Sequence, residues 1–507
     1  MGKKILFIVV TILTIAGGLY FLKPEIFVSI FRKPSSQQKA LCENCNVLLI
    51  SLDTCAAKHM ECYGYSRNTA PNFCQLAKEG IFFKNAYANA TWTLPSHVSM
   101  LSGLYPSTHK VLLNGDRLSS DIRLLPELLH ERGYTTHFFI PEGDFTLPVD
   151  TVYNKGIDHY VHDEYDTPEY FQRALDVLEH NEEKQFVFFH NYFCHGPYFI
   201  DTDHPKYTTL SVPIIPIHSE DISNRPFDAS LSAYLLESIP KGLANGQFRT
   251  SPDAIHNFLV RLKDASNIDE AISIYDDAVR HDMWGEWGMM YGYIESFRYW
   301  NTIDIQNPKH IEFVKALYDQ RLSNADGSII GALRKKMHDP NFLKKTIVII
   351  TADHGEEFME HGSLTHVTLF DDNLRIPLII LMPGFSGISV KESIQSVDIV
   401  PTLLEALGIR TSIPFNGKSL VPLFSSGFFG SRLLIAKGHQ GMQPTVSVIR
   451  EGVWKVFITA QNNTILPFAL YNTEKDSEEQ TNILPQHMRK AEQLINQYKI
   501  TLSNIEK

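Results

Sequence analysis

The sequence predicts an α/β fold in which helices cover both faces of a mainly parallel sheet. Two apolar runs, residues 46–53 and 346–353, are too short for helices, and each ends in an aspartate. Such runs are typical of buried parallel strands. Helices and strands alternate between them, with a helix predicted over 71–79 and a helix over 125–132 followed by a strand over 135–140. With 507 residues and 44% hydrophobic content, the chain can bury a large core and carry a smaller second domain.

The N-terminus contains a candidate membrane segment. Two lysines precede the uncharged run 5–22, which is at the short limit for a membrane span and long for a signal-peptide core. We favour a retained anchor at 1–22 over cleavage near Ala16-Gly17-Gly18, because no small-x-small site ends the run. Residues 23–45 are then a polar tether.

All six cysteines fall within the first 194 residues, and an even number in an exported chain allows disulfides. Cys42 and Cys45 are close enough in sequence to suspect a bond. They also resemble half of a zinc site, but no second pair follows at a suitable spacing. The pairing of the others stays open: Cys55, Cys62, Cys74 and Cys194.

Four polar residues are predicted to meet at one edge of the sheet. Asp53 and Asp353-His354 stand at the carboxyl ends of the two predicted strands, where ligands collect in open α/β sheets. Thr93 lies just before Pro95, which suits the first position of a helix, and a helix N-terminus favours an oxyanion. These donors suit one divalent cation, Ca²⁺, Mg²⁺, Mn²⁺ or Zn²⁺. Taken alone, Thr93 is equally compatible with an ordinary helix cap.

Further motifs follow in a fixed order along residues 46–485. They include Thr69-Ala70-Pro71-Asn72, Thr93-Leu94-Pro95-Ser96-His97, His195-Gly196-Pro197-Tyr198, Asp353-His354-Gly355-Glu356 and Trp454-Lys455. This series resembles the sulfatase family, within the alkaline-phosphatase-like superfamily. The resemblance implies an alkaline-phosphatase-like catalytic domain over 46–429, outside the cytoplasm, with a divergent helical insertion at about 200–312. A small α+β module over 430–507 follows, ending in a helix at 487–499.

The chain departs from the sulfatase pattern at the nucleophile. Sulfatases carry a cysteine or serine that is oxidised to formylglycine, whereas this chain has Thr93, which cannot give that aldehyde hydrate. The family's arginine is replaced by His97, and its sulfate-gripping lysine and histidine are missing after residues 133–136. A threonine nucleophile resembles instead the phosphoglycerol and phosphoethanolamine transferases, which act on phosphodiesters.

The resemblance implies a role for each candidate site residue. The metal ligands are Asp53, Thr93, Asp353 and His354. Thr93 is also the nucleophile, and its hydroxyl needs a cation to lower its pKa or a base to remove its proton. His195, which follows a strand-like run over 186–193, and His366 are candidates to bind the transferred group or protonate the leaving oxygen. Three further histidines are expected to be structural or to contact the ligating residues from outside the cluster: His97, His190 and His361.

We therefore predict a membrane-anchored, metal-dependent hydrolase or phosphotransferase that acts on a phosphate or sulfate ester, lipid- or glycan-linked. A net charge of −11 and the absence of a basic stripe argue against nucleic-acid binding. One alternative is a sulfuric ester hydrolase that works without formylglycine. The other is a catalytically inactive sulfatase-like binding protein. The sequence leaves the metal's identity and the oligomeric state open.

Overall fold

The computed structural model describes residues 40–112, 116–140, 155–161, 168–179, 183–196, 198, 206–208, 303–425, 429–438, 446–461 and 464–505, with isolated positions between 257 and 274. The predicted anchor 1–22, most of the tether 23–45 and most of the insertion at about 200–312 lie outside these residues. Within the described ranges, no helix has both the length and the apolar character to cross a membrane.

Thirteen strands form two sheets in the described part of the chain. They are β1 (Asn46–Leu52), β2 (Ile81–Tyr87), β3 (Tyr134–Phe139), β4 (His159–Val161), β5 (Lys184–Asn191), β6 (Thr346–Thr351), β7 (Arg375–Ile376), β8 (Leu378–Leu381), β9 (Ile388–Gln395), β10 (Leu434–Gly438), β11 (Val446–Glu451), β12 (Trp454–Gln461) and β13 (Thr464–Asn472).

Helices alternate with these strands. They are α1 (Pro71–Glu79), α2 (Thr93–Ser102), α3 (Pro106–His109), α4 (Leu125–His130), α5 (Pro168–Glu179), α6 (Pro308–Ala325), α7 (Gly331–Lys336), α8 (Pro340–Lys345), α9 (Asp371–Leu374), α10 (Ile399–Ala406), α11 (Val421–Ser425) and α12 (Met488–Ile505). The π-helical turn Asp326–Ile330 joins α6 to α7. Helix α6 begins inside the range predicted for the insertion.

The first sheet is mainly parallel, which confirms the predicted sheet type. Its strand order is β4-β3-β5-β1-β6-β8-β2-β7, and β9 pairs with the free side of β2. Strands β4, β3, β5, β1 and β6 run parallel to one another, and β2 is parallel to β9. The antiparallel pairings involve β7 and β8.

The register of the two central strands places their carboxyl ends side by side. Asn46 pairs with Thr346 and Ser51 with Thr351, and every residue of β1 and β6 is buried. Strands buried on both faces favour the continuous Val, Leu and Ile runs that the sequence contains here. Because the strands end together, the residues that follow β1 and β6 emerge at the same point of the sheet.

Several element boundaries differ from the sequence prediction. Helix α2 begins at Thr93 with Trp92 as its N-cap, so Pro95 is its third residue and not its first. A proline is tolerated there because the N–H groups of the first helical turn have no intrahelical partner. Strand β5 ends at Asn191, whose carbonyl accepts the last ladder hydrogen bond from the N–H of Asp53.

Two predicted helices also end elsewhere. Helix α4 ends at His130 because the chain then turns to Gly133, which has a positive φ of 76°. Helix α12 continues to Ile505, since the Thr501 hydroxyl bonds back to the Gln497 carbonyl and Leu502 still packs on apolar neighbours.

The C-terminal part forms a second sheet with antiparallel strand order β10-β11-β12-β13, covered by α12. Its own apolar core includes Ile449, Val456, Leu470 and Leu494. The charged end of the buried Lys455 lies 2.7 Å from Asp371 Oδ1 on the first domain. The two sheets are therefore joined by buried polar contacts as well as by packing.

The suspected bond between Cys42 and Cys45 is present, and a second disulfide joins Cys62 to Cys74. Cys55 and Cys194 are free and fully buried.

Candidate active site

Two aspartates and a histidine form a buried cluster at the shared ends of β1 and β6. Asp53 follows β1, and Asp353 and His354 follow β6. Ligand atoms of these three residues all lie within 4.8 Å of one another. Nε2 of His354 is 3.3 Å from Asp353 Oδ2 and 4.0 Å from Asp53 Oδ1. The strand register therefore brings together three of the four predicted ligands.

Thr93 lies beside this cluster as the first residue of α2. Its Oγ1 is 3.5 Å from His354 Nε2, and the residue is 8% exposed. Ser96, one turn along the helix, donates a hydrogen bond of 2.6 Å to the carbonyl of Asp353. This bond ties the start of α2 to the end of β6. The hydroxyl of Thr93 consequently sits both in the field of a helix N-terminus and next to the carboxylate cluster.

The protonation states of the cluster favour cation binding. Nδ1 of His354 lies 3.1 Å from the carbonyl of Gly355, which can only accept, so Nδ1 carries the proton and Nε2 presents a lone pair. Burial lowers the pKa of His354 to about 4. Burial raises the pKa of Asp353, but the neighbouring histidines outweigh it and lower that pKa to about 2. The side chains of two aspartates and an imidazole lone pair thus gather around one point.

Such a donor set fits a divalent cation. Electron-rich atoms this close repel one another in a buried site unless a positive charge lies between them. Carboxylate and imidazole donors are compatible with Mg²⁺, Mn²⁺, Ca²⁺ or Zn²⁺ and do not select among them. Asp53, Asp353 and His354 are the residues that would hold the ion, with the Thr93 hydroxyl adjacent.

The backbone around the cluster is held in an unusual conformation. Thr54 adopts a positive φ of 51°, and its N–H donates to Asp353 Oδ1 over 3.2 Å. The Tyr318 hydroxyl donates to the carbonyl of Thr54 and accepts from the N–H of Ala56, both over 2.8 Å. These bonds offset the cost of the left-handed conformation at a residue that is not glycine.

Gly355 is required by a close approach of two backbones. A Cβ at this position would lie 2.2 Å from the carbonyl oxygen of Asp372. The N–H of Gly355 donates over 2.7 Å to the carbonyl of Asn373 in α9. The loop that carries His354 is therefore anchored directly on α9.

His195 and His366 meet beside the cluster. Their ring centroids are 5.3 Å apart, and the His366 ring is 4.4 Å from that of His354. Burial lowers the pKa of both His195 and His366 to about 4, so both imidazoles are neutral near pH 7. Nδ1 of His195 donates over 2.5 Å to the Gly196 carbonyl, which leaves its Nε2 as the acceptor nitrogen. His195 and His366 thus lie next to His354, which Thr93 also adjoins.

The histidines expected to be structural have different positions. His190 places Nε2 3.7 Å from Asp53 Oδ2, and its ring contacts that of His97 at 4.5 Å. His97, at the family's arginine position, is fully buried and pairs through Nε2 with the Ser51 hydroxyl over 2.9 Å. His361 stacks on Phe370 at 3.5 Å. His190 therefore adjoins a candidate metal ligand, in keeping with the expectation that it is structural or contacts a ligand from outside the cluster.

Two residues at the site had no role in the sequence analysis. Glu356 is fully buried, with Oε1 3.1 Å from Nδ1 of His366. The hydroxyl of Tyr198 donates to its other oxygen, Oε2, over 2.7 Å. Both belong to motifs quoted above, so their positions within Asp353-His354-Gly355-Glu356 and His195-Gly196-Pro197-Tyr198 were the available signal.

The segment where the family carries its sulfate-gripping pair is engaged elsewhere. His137 hydrogen-bonds Gln185 through Nε2 over 2.8 Å and stacks on His159 at 4.6 Å. Phe138 and Phe139 are buried in the core. Residues 141–154 lie outside the described part of the chain.

Comparison with known proteins identifies the family. The sequence model named Sulfatase matches residues 45–409, most of the chain. The chain belongs to the sulfatase family. Human arylsulfatase K is 25% identical over 417 residues, which cover 80% of this chain and 72% of that protein. Arylsulfatase K of Canis lupus familiaris is 26% identical over 454 residues, covering 86% of this chain and 78% of that protein.

Solved structures share the fold of this sulfatase-family chain. The phosphonate monoester hydrolase of Agrobacterium radiobacter has a TM-score of 0.61 at 17% identity, covering 90% of this chain and 96% of that one. A protein solved in complex with its substrate D-glucosamine-2-N,6-O-disulfate has a TM-score of 0.60 at 18% identity. The match covers 91% of this chain and 98% of that one. The expected alkaline-phosphatase-like α/β fold is confirmed. Family and relatives together make the protein an ester-hydrolysing enzyme.

Proposed function

We propose that this sulfatase-family enzyme cleaves a phosphorus ester, a phosphodiester or phosphonate monoester, with Thr93 as its nucleophile. The observation that carries the proposal is the Thr93 hydroxyl, at a helix N-terminus and 3.5 Å from His354 Nε2 in the carboxylate cluster. An unmodified threonine can form and release a phosphoryl ester without prior oxidation. The similarity to a phosphonate monoester hydrolase supports the same substrate class.

The reaction divides into two displacements. Thr93 Oγ1 forms a bond to phosphorus while the bond from phosphorus to the leaving oxygen breaks. The threonine proton passes to an imidazole Nε2, of His195 or His366, which then gives it to the leaving oxygen. Water, or a second alcohol in a transferase, next attacks phosphorus and the bond from phosphorus to Thr93 Oγ1 breaks. The proton of the attacking hydroxyl passes to the imidazole and from there to Oγ1, which frees Thr93. A bound divalent cation would supply charge neutralisation for the hydroxyl and for the phosphoryl oxygens.

The two histidines suit this proton transfer. Each is neutral near pH 7, and each has its Nδ1 engaged, by the Gly196 carbonyl and by Glu356 respectively. Each can therefore accept a proton at Nε2 and, once charged, bind a phosphoryl oxygen. Their adjacency at 5.3 Å lets one hold the transferred group while the other serves the leaving oxygen.

The proposal also includes the cellular location of the enzyme and the class of its substrate. We keep the single-pass anchor at 1–22 with the catalytic domain outside the cytoplasm, where the two disulfides are compatible with an oxidising compartment. A lipid- or glycan-linked ester is the proposed substrate. A sulfated glucosamine and a neocarrahexaose bound to similar structures support the glycan-linked form.

Substitution of Thr93 tests the nucleophile. Thr93→Ala should lower turnover of bis-p-nitrophenyl phosphate and p-nitrophenyl phenylphosphonate by about 10³-fold or more, while Thr93→Ser retains part of it. The matched control is Thr108→Ala, which removes a threonine hydroxyl on α3 that donates to Asn416 Oδ1 over 2.8 Å. Full turnover by Thr93→Ala would refute the assignment. A covalent phosphoryl adduct on Thr93, seen by mass spectrometry with a slow substrate, would support it.

Sulfate ester hydrolysis is the second candidate, favoured by the similarity to arylsulfatase K. It predicts that p-nitrophenyl sulfate is turned over faster than either phosphorus ester, with the same loss in Thr93→Ala. An inactive binding protein predicts metal binding without turnover of any of the three substrates.

A further inference from the structure

Glu356 is a buried carboxylate that neither the metal cluster nor the nucleophile uses. It follows His354 by two residues and is fully buried, yet it is not among the three residues whose ligand atoms converge. Its two oxygens have different partners, Nδ1 of His366 at 3.1 Å and the hydroxyl of Tyr198 at 2.7 Å. One side chain therefore links residues of two separate loops.

The contact with His366 decides where that imidazole carries its proton. When Glu356 is ionised its oxygens only accept, so Nδ1 of His366 donates to Oε1. In the neutral ring the other nitrogen, Nε2, then has only a lone pair. Without the carboxylate, nothing in this contact would distinguish the two tautomers. The same bond fixes the orientation of the ring, because a 180° flip about the Cβ–Cγ bond would replace Nδ1 with a carbon atom opposite Glu356.

The contact with Tyr198 extends the effect to His195. Tyr198 follows His195 by three residues in the loop after β5, whereas His366 lies in the loop after β6. Tyr198 is fully buried, and its ring packs edge-on against Tyr318 at 5.5 Å. Tyr318 in turn holds the backbone of Thr54 beside Asp53. The Tyr198 hydroxyl is thus a fixed donor against which Glu356 is held.

We propose that Glu356 is a positioning residue that keeps the proton of neutral His366 on Nδ1, ties the His366 loop to the His195 loop, and so makes Nε2 the reacting nitrogen of His366. The role of His366 in proton transfer rests on the function proposed above, but the tautomer does not. Glu356 acts through His366 and Tyr198, the two side chains that its oxygens contact.

The ¹⁵N signals of His366 test the tautomer directly. In protein labelled with ¹⁵N-histidine near pH 7.5, the signals that disappear in His366→Gln should show a protonated Nδ1 and an unprotonated Nε2. In Glu356→Gln the amide group can accept from Tyr198 and donate to Nδ1, so the proton should move to Nε2. Glu356→Asp should retain the wild-type pattern. A wild-type His366 protonated on Nε2, or no change in folded Glu356→Gln, would overturn the proposal.

Kinetics separate positioning from structure. Glu356→Gln should lower kcat 10- to 100-fold with little change in KM, and Glu356→Asp should restore part of it. The matched control is Glu61→Gln, whose carboxylate accepts from the backbone N–H groups of Thr69 and Ala70 and should tolerate the amide. Tyr198→Phe should lower kcat but leave the proton on Nδ1. A kcat of Glu356→Gln equal to that of wild type would refute the role.

The two proposals fail in distinguishable ways. If Thr93→Ala keeps full turnover while the ¹⁵N pattern is as expected, the nucleophile assignment is wrong and the tautomer stands. If Thr93→Ala is inactive and His366 carries its proton on Nε2, the nucleophile stands and the role of Glu356 is wrong.

Discussion

Replacement of Lys455 should destabilise the junction between the two sheets. Its ammonium group is 1% exposed and lies 2.7 Å from Asp371 Oδ1 and 2.8 Å from Glu479 Oε1. Lys455→Met keeps the length of the side chain but leaves Glu479 buried without its cation. Asp371 retains Arg450, whose Nη1 lies 2.5 Å from Oδ2. We expect a loss of about 3–5 kcal/mol in the free energy of unfolding, the usual cost of breaking a buried ion pair.

The loss should depend on pH, because Glu479 can take up a proton. Burial raises the pKa of Glu479 to about 7 even with Lys455 in place. A carboxyl group whose pKa is higher in the folded than in the unfolded protein stabilises the fold at low pH. That stabilisation disappears as the pH rises through the folded-state pKa. Without Lys455 the pKa of Glu479 rises further, so the variant continues to lose stability above pH 7, where the wild type no longer does. The difference between variant and wild type should grow by about 1.4 kcal/mol per pH unit from there.

Urea unfolding at pH 6.5 and pH 8.5 measures both effects. Trp454, adjacent to Lys455 in β12, provides a fluorescence signal from the second sheet. Lys490→Met is the matched control, because the partly exposed pair of Lys490 with Glu451 at 3.0 Å should contribute about 0–1 kcal/mol. A Lys455→Met variant no less stable than Lys490→Met at pH 8.5 would refute the reasoning.

Three further outcomes are expected. A divalent cation should raise the thermal unfolding midpoint and chelation should lower it, and Asp353→Asn should abolish the response, as calorimetry can check. Burial raises the pKa of Glu360, but its contacts with Lys58 and Lys315 lower that pKa to about 2. As the pH falls from 4.5 to 2, the free energy of unfolding of the wild type should therefore decrease by up to about 3 kcal/mol more than that of Glu360→Gln. Thiol titration should find two reactive cysteines, Cys55 and Cys194, and only after denaturation.

The proximity of the candidate site residues could be predicted, because the position of each residue depends on the strand or helix next to it in the sequence. Asp53 directly follows a buried apolar strand, and Asp353 follows another by two residues, so pairing of these strands brings the carboxylates together. Thr93 precedes a proline that is compatible only with the first turn of a helix. Each position depends on one element and on one strand pairing.

Other features depend on contacts that local sequence does not encode. A proline fits several positions of the first helical turn, so Pro95 could not fix the start of α2. A glutamate after a glycine favours an exposed loop, and only the approach of Tyr198 and His366 makes Glu356 a buried bridge. The bond between Cys62 and Cys74 requires α1 to fold back against the turn Glu61–Tyr63. These pairings are set by tertiary packing.

Helix α9 connects the C-terminal sheet to the loop that carries His354. Its first residue, Asp371, is held by Lys455, and its third, Asn373, accepts from Gly355 next to His354. The C-terminal domain is therefore linked through α9 to the loop that carries His354. We expect a shortened chain that lacks this domain to hold His354 less firmly, even if the large sheet folds. Attempts to trim the protein, or to exchange this domain with that of a relative, need to carry the Asp371 contact along.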